Sequence, residues 1–502
     1  MSQVSERIIH EAGTVQGMRA GQSHPLDAIF SPRSVAVVGA SPWQFGASGA
    51  GAAFIRALQE LAFPLIYPVN PKHEEIEGLR CYPDLLSIDG PVDHVISAVP
   101  AKAVSSVLEQ VIAKGSRTLH LFTAGFSETG EDGAEEIEKD VAAKAVQAGV
   151  RVLGPNCMGL YVPAARLSFT PGMPAEPGPV AMISQSGTNA GEMVRSSAPR
   201  GIRFSKVVSY GNGSDIAANE LLEYLAQDPE TEIITAYVEG IGDGRGLMCA
   251  LGKAAAVKPM IILKGGRTLA GGRAAYSHTA SLAGSTEVFE AACRQAGAIQ
   301  VLSVDQMVDL AVAFRFIRGI RGPRLGVVGG GGGFSVFAAD EIEAAGLDCP
   351  PLPEETQTEL LRFIPLAGSS VRNPVDAFVS FDPTRLGKTL STVGSAGNVD
   401  AVLFHIDFAS PAAAYAPITS DPQSFIGLLV KEMDAAQAAS GKPIIVAANQ
   451  ALDVKAVEYT LLFQEHCQRA SIPVYPTIPR AAAAIAAYLR WIERRSVGEA
   501  EE

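Results

Sequence analysis

The stretch SVAVVGASPWQFGASGAG (34–51) decides the fold class. Its first half is a short β-branched apolar run ending in glycine, the pattern of a strand covered on both faces in a parallel sheet. Its second half sets glycines at positions 39, 46, 49 and 51 ahead of a helical segment. Glycine lets a backbone approach a phosphate closely, and a helix start offers free N–H groups and the positive end of the dipole. The spacing is not GxGxxG, and the next strand ends in VNPK rather than in an acidic residue. Lys72 there attracts a phosphate instead of hydrogen-bonding a ribose diol. The reading is a nucleotide-like ligand other than NAD; glycines that merely turn the chain remain the alternative.

Working outward, similar runs follow at FPLIYPVN (63–70), HVISAVP (94–100), TLHLFTAGF (118–126) and VRVLGPN (150–156), with helical segments between them. A second block restarts at Pro179 with PVAMISQSG, RFSKVVSYGN, ITAYVEGI, PMIILKGG and AIQVLSVD. A third begins at RLGVVGGGGG (324–333) and continues through DAVLFHIDF, KPIIVAAN and IPVYPT to the helix RAAAAIAAYLRWIERR. Strands alternating with helices imply parallel, doubly wound sheets. Pro- and Gly-rich linkers at 171–179 and 317–324 separate the blocks. The expected organisation is a leader (1–25), three α/β domains (26–170, 178–316 and 323–493) and an acidic tail (494–502).

Composition fits that plan. The chain has 502 residues, 47% hydrophobic and 19% charged, enough for about three domains with ordinary cores. Its net charge of −13 argues against a general nucleic-acid binder while allowing a local basic pocket. Six scattered cysteines show neither CxxC pairing nor zinc spacing, which points to a reducing, cytoplasmic setting. No secretory h-region is visible at the start. The uncharged stretch 34–55 contains Pro42 and Gln44 and reads as strand, loop and helix, so no membrane segment is expected.

Four further segments carry chemistry. ISQSGT (183–188) places Ser186 as an N-cap, with the N–H groups of Gly187 and Thr188 free to bind an anion; an ordinary capped helix is the plain alternative. KGGRTLAGGRAAYSHTASLAGS (264–285) has no apolar period and presents two arginines and one imidazole, His278. It reads as a mobile small-residue loop whose neutral imidazole is able to carry a phosphoryl group; a merely solvated loop histidine is the plain alternative, and spacing alone does not decide between them. YVEGIGDGR (237–245) ends a strand in Glu239, either placed to hold the far nitrogen of an imidazole or simply a solvated strand-end acid. The five glycines 329–333 form a third strand-to-helix turn, either an anion cradle or a flexible connection. The remaining histidines show no metal spacing, and no GxSxG, HExxH or Walker A motif is present.

Together these segments resemble the nucleoside-diphosphate-forming acyl-CoA synthetases and, more distantly, the α subunit of succinyl-CoA synthetase. The resemblance runs from about Leu26 to Trp491 and rests on SPRSVAVVGAS, YPVNPK, GPVDHVISAVP, TAGFSETGEDG, VLGPNCMGL, SQSGT, SYGNGSDI, DPETEIITAYVEGIGDGR and GGRTLAGGRAAYSHTASLAGS, with NPVDAF (373–378) in the third block. It implies a Rossmann-like CoA-binding domain followed by two flavodoxin-like domains. Gly39, Ala40, Ser41, Asn70, Lys72, Val99 and Pro100 would line the CoA site, with Asn156 and Cys157 toward the thiol end. His278 would be the phosphorylated histidine, Glu239 its orienting carboxylate, and Ser186, Gly187 and Thr188 the anion site. Asn189, Met193 and Tyr210 are expected to line the carboxylic acid pocket. Ala280 stands where relatives often have glycine, and GGGGG replaces a common Asn/Ala–Gly–Gly–Pro turn.

The resemblance further implies exchange of carboxylate, CoA and ATP with acyl-CoA, ADP and phosphate through acyl phosphate and phosphohistidine. All three blocks are assigned and none is an ATP-grasp module. ATP or ADP with Mg²⁺ is therefore expected on a separate ATP-grasp β subunit, in an α2β2 assembly, with no metal on this chain. The alternatives are a non-catalytic CoA-binding regulatory protein and a nicotinamide oxidoreductase. The intact His–Glu–SQSG set speaks against the first, and Lys72 against the second.

Overall fold

The computed structural model describes residues 24–42, 49–279, 285–411, 413, 416–449 and 453–501, with the backbone alone at 276–279 and 497–501. β1 (Val35–Val38) and β2 (Ile66–Val69) are followed by a small hairpin, β3 (Glu75–Ile76) and β4 (Leu79–Arg80). Then come β5 (His94–Ser97), β6 (Thr118–Leu121) and β7 (Arg151–Leu153). These build a parallel sheet in the spatial order β2-β1-β5-β6-β7.

β8 (Gly159–Tyr161) precedes β9 (Val180–Ser184), β10 (Phe204–Ser209), β11 (Ile233–Val238), β12 (Met260–Lys264) and β13 (Ile299–Val301). The last five form a second parallel set, β13-β12-β11-β9-β10, and β8 adds to its edge antiparallel to β10. β14 (Leu325–Gly329), β15 (Val375–Asp376), β16 (Ala401–Ile406), β17 (Ile444–Ala448) and β18 (Val474–Tyr475) form the third sheet, β15-β14-β16-β17-β18. Each parallel set has the same winding. Its first strand lies between its second and third, so the chain reverses direction across the sheet beside that first strand, where such folds open a ligand crevice. The glycine- and serine-rich turns all follow these first strands.

Doubly covered strands explain the unbroken apolar runs. In β1, Val35 and Val37 face a core shared with the second sheet, while Ala36 and Val38 face a separate core under the outer helices. In β14, Leu325 and Val327 join the same shared core and Val328 faces a third one. The second sheet is thus the centre of the molecule. Polar ties reinforce it. Arg151 at the start of β7 pairs with Asp215 at 2.9 Å and Glu220 at 2.6 Å. Buried Asp309 receives Arg200 at 2.5 Å and Arg480, from the closing helix Ile478–Glu501, at 2.6 Å.

Two elements depart from the sequence reading. β8 was not anticipated, because its three residues follow the GPN turn with no run of their own. The supposed loop 264–285 is helical over Leu269–Thr279. Ala, Leu and Arg are strong helix formers that need no apolar stripe, and Thr268 Oγ1 accepts from the Gly271 N–H at 3.0 Å. Local propensity supplied what periodicity did not signal. Ala280 lies outside the described residues.

Candidate active site

β9 delivers the chain into the helix Gly187–Ser197 at the second sheet's crevice. Ser186 is its N-cap, and its Oγ accepts from the Asn189 N–H at 3.3 Å. The first N–H groups of the helix, on Gly187 and Thr188, precede any intrahelical acceptor. They border a cavity of about 600 Å³ between the first two domains. Val99, Pro100, Asn156 and Cys157 line it from the CoA-domain side, and Ser186, Gly187 and Thr188 from the other. Seven of the expected residues, drawn from three separate motifs, therefore meet around one space.

Gly187 is fixed by packing. A Cβ there would lie 2.2 Å from Met158 Cγ, so the helix start reaches the opposite wall only without a side chain. Gly187, Gly191 and Arg195 share one helix face, spaced by four, and all three line the cavity. Arg195 supplies a cation there that the sequence reading missed, although the i, i+4, i+8 spacing was its signal. Cys157 is buried, its Sγ is 3.7 Å from the Leu121 carbonyl, and desolvation pushes its thiol pKa up. Behind it, His120 Nε2 lies 3.2 Å from the Cys157 carbonyl, and burial lowers its pKa to about 4.

The GPN turn and the SYGNG motif fit together. The Asn212 N–H donates to the Pro155 carbonyl at 3.0 Å, and a Cβ on Gly211 would sit 2.1 Å from that oxygen. Tyr210 and Met193 are buried in the core, Tyr210 with its pKa raised by burial, so neither lines the cavity. Both were expected to contact substrate. Their apolar bulk on the inner faces of a strand end and a helix makes them core residues instead. Asn189 is likewise absent from the lining, and its side chain bonds Tyr237.

Glu239 follows β11, next to β9 in the sheet. Gln185, a cavity residue, receives the Glu239 and Gly240 N–H groups on its Oε1. Tyr237 Oη donates to Glu239 Oε1 at 3.0 Å, while Glu239 Oε2 is buried without a partner among the described residues. Buried Lys264, its pKa lowered by desolvation, donates to the Glu239 carbonyl at 2.6 Å and so joins Glu239 to the segment that bears His278. Gly265 lets these groups meet, since a Cβ there would be 2.5 Å from Tyr237 Oη. His278 lies in the last turn of the helix Leu269–Thr279, which packs beside the first-domain turn Ser127–Thr129.

Gly39, Ala40, Ser41, Asn70 and Lys72 gather at the carboxyl edge of the first sheet, outside the cavity lining. Gly39 has φ +84°, and a Cβ would come within 2.8 Å of Val99 Cγ1, so glycine permits β1 to end against β5. Asn70 Nδ2 donates to the Ala40 carbonyl at 2.6 Å, and its Oδ1 accepts from the Lys72 N–H at 2.9 Å. Asn70 thereby fixes both turns, and the Lys72 side chain is left exposed. Among the described residues, no group of three His, Cys, Asp or Glu is placed to hold a metal, and no helix is long and apolar enough to cross a membrane.

A Rossmann-like sheet and a flavodoxin-like sheet enclosing a shared crevice, with a helix start aimed into it, define the CoA-ligase class of α/β protein. Comparison with known proteins agrees. The family described as CoA binding domain matches residues 33–163, and the succinyl-CoA ligase like flavodoxin domain matches residues 177–314. The chain is 37% identical to the α subunit of ADP-forming acetate–CoA ligase II of Pyrococcus furiosus, over 84% of this chain and 89% of that one. It is 34% identical to the α subunit of isoform I from the same organism, over 93% and 97%. It spans 54% of the ADP-forming acetate–CoA ligase I of Archaeoglobus fulgidus, at 36% identity. Among solved structures, acetyl-coenzyme A synthetase 1 of Candidatus Korarchaeum cryptofilum, in complex with phosphate and ADP, superimposes with a TM-score of 0.77 at 31% identity, covering 94% of this chain and 97% of that one. The chain belongs to the family of ADP-forming acyl-CoA ligases, and the two Pyrococcus furiosus relatives, matched over 89% and 97% of their length, are named as α subunits.

Proposed function

We propose that this chain is the α subunit of an ADP-forming acyl-CoA synthetase, interconverting carboxylate, CoA and ATP with acyl-CoA, ADP and phosphate. The observation that carries the reading is the cavity in which Val99, Pro100, Asn156 and Cys157 face the Ser186–Thr188 helix start. A thioester entering from the CoA domain and a phosphate held at the helix start would meet there. Lys72 serves the 3′-phosphate of CoA at the outer edge of the first sheet, and Gly39, Ala40 and Ser41 cradle the nucleotide end.

In the direction of acid release, a phosphate oxygen attacks the thioester carbonyl, the C–S bond breaks, and CoA departs as its thiol. The acyl phosphate remains with its phosphoryl oxygens on the helix start. The His278 imidazole then attacks phosphorus, the bond to the acyl oxygen breaks, and the carboxylate leaves. Glu239 Oε2, buried and without a partner among the described residues, is the acceptor for the other imidazole N–H, which fixes the tautomer and stabilises the phosphorylated ring. The phosphoryl group passes to ADP, held with Mg²⁺ by an ATP-grasp β subunit; an α2β2 assembly accords with relatives named as α subunits. A purely CoA-binding regulatory role leaves the Glu239 oxygen, which has no partner among the described residues, and the helix-capped cavity without purpose.

Incubation of the complete two-subunit enzyme with acyl-CoA and radiolabelled phosphate, without nucleotide, is expected to place an acid-labile, base-stable phosphoryl group on this chain. His278→Ala is expected to abolish the label. Normal turnover by the complete His278→Ala enzyme would overturn the phosphohistidine step.

A further inference from the structure

A second cavity, of about 230 Å³ and lined by none of the expected site residues, lies where the helix Thr286–Ala296 and edge strand β13 meet the closing helix Ile478–Glu501. Three arginines converge on it: Arg294 from one helix, Arg490 and Arg494 from the other. Glu290 is the single acid in the lining, and its carboxylate lies 4.0 Å from Arg294. On a chain of net charge −13, a lining of three cations and one anion is a local reversal of sign.

Arg490 and Arg494 stand four apart on one helix face, where like charges repel. Among the described residues neither has an ion-pair or hydrogen-bond partner. Gln300, on β13, belongs to the same lining, and its amide Nε2 is buried with no hydrogen-bond partner among the described residues. Buried donors are nearly always met by protein, water or ligand. The rest of the floor is apolar: Trp491, Ile299 and buried Cys293. Phe314 packs edge-on against Trp491 with ring centroids 5.1 Å apart, holding the indole in place.

We propose that this cavity binds a small organic phosphate, its oxyanion gripped by the Arg294–Arg490–Arg494 cluster and the Gln300 amide, its carbon body resting on Trp491. Guanidinium forks suit the several oxygens of a phosphate, and an indole face suits a flat or apolar substituent. The ligand would bridge the second domain to the closing helix of the third. It would also rest on the helix that follows the His278 segment.

The chain has two tryptophans, Trp43 and Trp491, so Trp43→Phe leaves Trp491 as this chain's sole indole. In that background, with the partner subunit present, phenyl phosphate is expected to produce a saturable emission change that the matched Trp43→Phe/Trp491→Phe control lacks. Arg490→Ala/Arg494→Ala is expected to weaken that binding at least about tenfold, the loss of one charge-assisted contact. Gln300→Leu should weaken it by a smaller factor. Because both arginines are exposed, unchanged CoA binding by the double variant confirms that it is folded. Absence of a saturable change, or equal affinity in the double variant, overturns the site. Equal affinity for inorganic phosphate overturns its organic character, and tighter binding of succinate overturns the phosphate assignment.

Discussion

The turns after β9 and β14 start alike and finish differently. Each follows the first strand of its parallel set and opens a helix at the sheet's reversal point. After β9, the Ser186 hydroxyl satisfies one N–H and leaves those of Gly187 and Thr188 bordering a cavity. After β14, the N–H of Gly331 donates to the buried carboxylate of Asp376 at 2.7 Å. The third domain has placed its own anion where an external one would otherwise sit. Glycine content alone is a poor guide to anion binding: the turn with five glycines is the one already partly occupied, and the turn with a serine cap is the open one.

That contrast can be broken most sharply by exchanging carboxylates for amides at the two sites. Glu239→Gln in the complete enzyme is expected to lower kcat by about 10²-fold with the Kd for CoA unchanged, as loss of a histidine's orienting partner does. Asp376→Asn is expected to leave kcat near wild type and to lower thermal stability. Comparable rate losses in both would place the third-domain turn in the chemistry. Next in size, Gly187→Ala drives a methyl into Met158 and should cost about 1–3 kcal/mol in denaturant unfolding, part of it recovered with Met158→Ala.

Lys72→Ala is expected to weaken CoA on the order of tenfold and dephospho-CoA hardly at all in calorimetric titration; equal weakening of the two ligands removes Lys72 from the 3′-phosphate. The smallest expected effect has the opposite sign. A Cβ at Gly333 meets nothing within 4 Å and lies inside a helix, so Gly333→Ala should stabilise by about 0.5–1 kcal/mol. A stabilising Gly187→Ala, or a destabilising Gly333→Ala, would erase the packing distinction between the two turns.

Much of this architecture is written in short-range patterns. The runs at 34–40, 94–100 and 180–184 are apolar without alternation because helices or a neighbouring domain cover both faces, and each becomes a strand. Ser186–Thr188 were legible from the strand-to-helix turn itself, at the end of a first strand where the crevice opens, whereas Val99, Pro100, Asn156 and Cys157 were legible only through the motifs of the family resemblance. What escaped depends on partners distant in sequence. The burial of Tyr210 and Met193 is decided by the opposing helix and strand. The role of Met158 appears only when it closes on Gly187. β8 has no apolar run because its pairing with β10, not its composition, makes it a strand. The helix at Leu269–Thr279 shows the converse, local propensity acting where no periodic face exists.

β8 has one more consequence. Residues 154–158 line or buttress the cavity, and the three that follow are hydrogen-bonded into the second sheet, while Arg151 just before them belongs to the first. The walls of the cavity are thus sewn together by the thread that forms its floor. Recombination between relatives therefore has a natural seam. A crossover placed before residue 154 would separate the GPN turn from the first sheet it grew out of, whereas one placed after Tyr161 carries the whole stitch with the first domain and asks only that β10 accept a foreign edge.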